Sequence, residues 1–145
     1  MNTIKALAGG LVGSIALTTV HETMRRLQKD APRMDLLGMQ TLKKGLKKTD
    51  MEVPDRDTLF NWTMLGDIVG NALFYSLAGI GKKNALTKGT ALGLAAGIGG
   101  VILPKYLGLD NEYSARTNKT KAMTIGWYLI GGVAAAVALK LLDKK

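Results

Sequence analysis

The chain has 145 residues, 47% of them hydrophobic, with 20 Lys and Arg against 11 Asp and Glu, one histidine and no cysteine. Such a length suits a single domain; the lack of cysteine excludes disulfide, thiolate and iron–sulfur chemistry, and a lone histidine excludes bis-histidine haem ligation within one protomer. A net charge of +9 beside so apolar a composition means that apolar blocks alternate with basic connections, and the blocks decide the class.

The first block, residues 6–20, is free of charge. With Lys5 and the His21 to Arg25 end at the interfaces, the segment 4–24 reaches about 31 Å as a helix, close to a hydrocarbon core. A cleavable signal peptide is the competing reading, but Ser14-Ile15-Ala16 is a poor cleavage site, so the segment is read as a span. Along it Ser14, Thr18 and Glu22 fall on one stripe with His21 and Arg25 beside them. The closing TTVHETMRR has the first two letters of the zincin motif HExxH, yet Arg25 stands where the second histidine belongs, so no metal site is expected.

The connection 25–58 is basic and long. After Pro32 and Asp35, a potential helix cap, Met39, Leu42 and Leu46 recur at helical spacing with Lys43, Lys44, Lys47 and Lys48 around them. This pattern predicts an amphipathic helix at the membrane surface, its apolar edge in lipid and its lysines on anionic headgroups; a basic helix packed on the bundle is the alternative. Nucleic acid is not an expected partner, because six acidic residues share the loop and no aromatic platform accompanies the lysines.

A second block, 59–81, is broken by one charge, Asp67, with Asn71 and Tyr75 following on the same helical face. The third, 85–103, has only Lys88, near its end, where a long stem can snorkel. The fourth, 122–142, contains GWYLIGGVAAAVALKLL, which offers no charged outer face before Lys140, as a soluble helix would. These blocks predict an all-α polytopic transmembrane bundle of about four spans forming a single integral membrane domain. Between them, Trp62 and Tyr106 fall where interfacial aromatics are common.

Thirteen Lys and Arg lie in 25–56 and 105–121, against seven elsewhere. The positive-inside rule therefore puts loops 25–58 and 105–121 in the cytoplasm and both termini outside it. The layout resembles that of small four-helix proteins of the bacterial inner membrane, a likeness of topology that assigns no role to any residue.

Glycine and alanine repeat at four-residue spacing: Gly9 with Gly13, Gly66 with Gly70, Gly89 with Gly93 and Gly97, and Gly132 with Ala136. In lipid, helices adhere through close backbone approach, so these faces predict tight packing within the bundle, with a homo-oligomer or larger membrane complex as a further outcome. No phosphate-binding loop and no nucleophile elbow is present, so neither an enzyme nor a cofactor is expected. The leading expectation is a small membrane scaffold or accessory subunit acting through its glycine-rich faces. The alternative is a proton or cation channel or transporter built on Asp67, Asn71, Glu22, His21 and Thr18, which antiparallel helices would bring within reach of one another; intramembrane ionisable groups are costly and commonly mark such routes.

Overall fold

A computed structural model describes residues 2–81 and 83–144, and among these there is helix and no strand. The long helices are α1 (Thr3–Leu27), α3 (Arg56–Ser76), α4 (Ala85–Tyr106) and α6 (Asn118–Asp143); α2 (Met34–Lys48) and the short α5 (Glu112–Ala115) lie in the two connections. Side chains cap the starts of α3 and α6. Asp55 takes the Asp57 and Thr58 amides at the head of α3, and the Thr117 hydroxyl takes the Thr120 amide at the head of α6. Gly108, at φ +68°, turns the chain out of α4 as the Leu109 amide bonds back to the Pro104 carbonyl at 2.9 Å.

The long helices run up and down in the lateral order α3, α1, α6, α4: each packs extensively on the next, while α3 and α4 scarcely touch. The gap left between α3 and α4 is crossed at one end by α2. Gln40 of α2 accepts the Asp110 amide at 2.9 Å, and the Lys44 ammonium donates to the Leu107 carbonyl just beyond α4. The main core, Leu17, Tyr75, Trp127 and Ala135, joins α1, α3 and α6.

α1, α4 and α6 are each long and apolar enough to cross a membrane, which is consistent with an integral membrane location. The segment 59–81 departs from its predicted form. α3 stops at Ser76 and a 3₁₀ turn, Leu77–Gly79, follows; Asn61, Asp67 and Asn71 dilute its apolar run, so α3 is not among those three helices. Its 21 residues nonetheless span about 31 Å. The other helices extend past their predicted limits, α1 to Leu27 and α4 to Tyr106 through Pro104.

The α2 segment is a helix whose apolar edge lies on protein. Met39 and Leu46 are buried against Leu59 of α3, with Leu42 and Phe60 beside them. This corrects the expectation of an edge in lipid: α3 offers a matching apolar strip at its first turns, and helix-on-helix burial takes the place of insertion. Nor does Asp35 cap the helix, since its carboxylate is held by Arg33 instead.

The small-residue faces divide into two groups. A side-chain carbon on Gly93 would lie 2.7 Å from the Tyr128 carbonyl oxygen, and one on Gly97 2.6 Å from the Ile125 Cα; Gly89 and Gly132 face each other's carbonyls. Gly13 meets Ala135 and the Gly131 carbonyl at 2.6 Å in the same sense, and Gly9 faces Leu139. These positions join α1 and α4 to α6 at backbone contact. Gly66 and Gly70 have nothing within 4 Å and are exposed, Gly66 at the edge of a groove between α2 and α3.

Candidate functional site

The polar stripe of α1 is read out against α3 and α6. Ser14, fully buried, donates to the Ile68 carbonyl of α3 at 2.7 Å, which fixes the two helices in register one residue from Asp67. Tyr75, also fully buried, donates to the Tyr128 carbonyl of α6 at 2.7 Å. Two turns along from Ser14, His21 is only 8% exposed and stands edge-on to Trp127 and Tyr128, ring centroids 5.2 and 5.6 Å away. Neither of its ring nitrogens has a hydrogen-bond partner. A buried polar atom left without a partner costs about 1–3 kcal/mol, so the imidazole calls for one.

His21 lines a small cavity of about 20 Å³. Thr18 and Glu22 of α1, Asp67 and Asn71 of α3, Asp35 of α2 and Tyr128 of α6 line it as well. The predicted candidates Thr18, His21, Glu22, Asp67 and Asn71 are thus brought to one place. A cavity of this volume matches a single water, which takes about 10–15 Å³ measured in that way. Among the described residues no three His, Asp or Glu side chains form a group able to hold a metal ion.

The carboxylates around the cavity differ in their partners. Glu22 is bonded by Arg25, Nη2 at 2.7 Å and Nε at 2.9 Å, with Arg26 at 3.9 Å. Asp35 receives both forks of Arg33, at 2.8 and 2.9 Å, and Arg25 reaches to 3.9 Å. Burial pushes the Asp35 carboxyl upward, but the Arg33 hydrogen bonds and the charges of Arg33 and Arg25 outweigh it and hold the group below the usual carboxylate range. Asp67 takes part in none of the ion pairs among the described residues. Glu22 and Asp35 thus take up Arg25, Arg26 and Arg33, and none of these arginines pairs with Asp67.

Gly38 of α2 makes the close crossing possible. A side-chain carbon there would lie 3.7 and 3.9 Å from the two Asp67 oxygens and would press on the Thr63 methyl. The contribution of α2 to the cavity was missed by treating the helix as a surface element. The signal was nevertheless present: Asp35, Met39, Leu42 and Leu46 share one face at helical spacing, and the acid belongs to the buried side.

The predicted headgroup lysines are dispersed. Lys43, Lys47 and Lys48 are exposed, whereas Lys44 is half-buried against the end of α4. No protein-family model matches this chain, and no curated protein or solved structure is significantly similar to it.

Proposed function

We propose that this chain is a four-span integral membrane protein that handles protons or small cations at the cavity shared by α1, α3 and α6. The observation that carries the reading is the convergence of the unpaired Asp67 and the buried, unpartnered His21 on one small cavity. In a hydrocarbon setting such groups cost free energy, and a purely structural polar contact would have paired them. One water in the cavity would connect an imidazole nitrogen to a carboxylate oxygen, the minimum needed to pass a proton between α1 and α3.

In this reading α3 is the fourth span, and it brings the acid that its lower apolarity accommodates. The two basic connections face the cytoplasm, so the cavity lies about 5–12 Å below that surface, counted from the helix ends at the helical rise. The exposed Lys43, Lys47 and Lys48 then stand at headgroup level, suited to anionic lipid.

The test is flux in liposomes reconstituted with the full chain, with an internal pH dye and an imposed potassium diffusion potential. Acidification faster than in empty vesicles, abolished by Asp67→Asn, is expected. A rate equal to that of empty vesicles would overturn the proposal.

A scaffold or accessory-subunit role is the second reading, and one observation favours it. Gly66 and Gly70 stand free on the outer side of α3 beside exposed Trp62, Leu65, Val69 and Leu73. Gly9, Gly13, Gly89, Gly93, Gly97 and Gly132 face neighbouring helices of the same chain, so self-association or a larger complex would use α3 instead. A stoichiometric partner retained in mild detergent and lost on Gly70→Leu, without flux, would support this role.

A further inference from the structure

Asp67 has a second exposure. Besides the small cavity it reaches a groove of about 330 Å³ between α2 and α3, whose walls include Met34, Leu37, Leu42 and Trp62. Among the described residues Asp67 is the one ionisable residue lining that groove. Glycines shape it: Gly38 on α2 passes close over the carboxylate, and Gly66 on α3 leaves open space where a side chain would stand.

We propose that this groove binds a compact hydrophobic organic cation, with its charge against the Asp67 carboxylate and its apolar body between Leu37, Leu42 and Trp62. It rests on the cation-handling reading of the same carboxylate and names the class of cation. Charge decides the sign. Glu22 and His21 face Asp67 from α1, Asp35 from α2 and Tyr128 from α6; Arg25, Arg26 and Arg33 pair with Glu22 and Asp35, and among the described residues no basic side chain pairs with Asp67.

Chemistry decides against an inorganic ion. A hard cation takes about six to eight oxygens in the case of calcium, or an octahedral shell for magnesium. Apart from Asp67, the groove offers only the side-chain hydroxyls of Thr41 and Thr63, too few oxygens for either shell. A neutral acyl chain would cover the carboxylate without compensating it, at a high desolvation cost. An organic ammonium supplies the charge and buries apolar surface at once, and Trp62, 49% exposed, lines the same groove. The volume lies at the small end of ligand pockets, which selects a compact ion.

The experiment is equilibrium dialysis of radiolabelled benzyltrimethylammonium against the full chain in mild detergent, with folding checked by circular dichroism and gel filtration. Saturable binding is expected, weakened at least tenfold by Asp67→Asn. Gly66→Leu, which fills the groove without touching the charge, is expected to weaken it comparably. Unchanged binding in folded Asp67→Asn, or no saturable binding to the wild-type chain, would overturn the site. Flux in liposomes without saturable binding removes the groove site and leaves the transport reading; binding that Asp67→Asn abolishes, without flux, does the reverse.

Discussion

The two sides of α6 and α1 are built in opposite ways. Along α4 and α6 the backbones touch, with Gly89, Gly93 and Gly97 set against Gly132, Leu129 and Ile125. Between α1 and α3 there is a polar stripe, a cavity and, beyond α3, a gap bridged by α2. The first seam gives helix adhesion through van der Waals contact of backbones; the second brings His21 and Asp67 to a cavity.

The largest effect is expected where the first seam is broken. Gly93→Leu would drive a side chain into the Tyr128 carbonyl and the Leu129 Cα, both backbone, at a cost of about 3 kcal/mol. Loss of the folded species, or a steep fall of the thermal midpoint in detergent, checks it.

The next effect is on transport and not on stability. His21→Phe keeps an aromatic edge toward Trp127 and Tyr128 and removes the nitrogens that a cavity water would bond, so it should change stability by less than about 1 kcal/mol and, on the transport reading, abolish flux. A much lower midpoint would mean that the imidazole is structural.

A smaller, pH-dependent effect belongs to α2. Because the Asp35 carboxyl is depressed in the folded state, its contribution is complete above the ordinary unfolded value of about 3.9 and disappears as pH falls through the lower folded one. The Arg33 side chain is 37% exposed, so screening limits the loss to about 1 kcal/mol. Thermal midpoints measured from pH 6 to pH 3 should fall more steeply for the native chain than for Asp35→Asn.

The smallest effect is expected on the outer face. Gly70→Leu meets open space and should change the midpoint by less than about 0.5 kcal/mol. A large loss there would show that α3 packs on something beyond this chain.

Much of the bundle was legible because apolar runs free of charge admit few conformations in lipid. The polar stripe of α1 was legible too, since i, i+4 and i+8 share a helix face whatever the helix packs on. Less visible was the role of α2. Its lysines dominate the pattern and suggest a surface helix, while the burial of Met39, Leu46 and Asp35 depends on α3 presenting Leu59 and Thr63 at the right height. The glycine spacing identified smooth faces without saying which were used; Gly66 and Gly70 share the motif of Gly89 and Gly93 and face outward.

The sequence by itself determined the helical class, the apolar segments and the polar residues that any membrane bundle would have to accommodate, because each follows from periodicity and charge along one chain. Tertiary structure alone decided that α3 and α4 stand apart, that α2 closes the gap, and that Glu22 and Asp35 find arginines while Asp67 and His21 are left facing a cavity. The physical reason is that pairing is a property of distances between helices, which one helix's residue spacing does not contain.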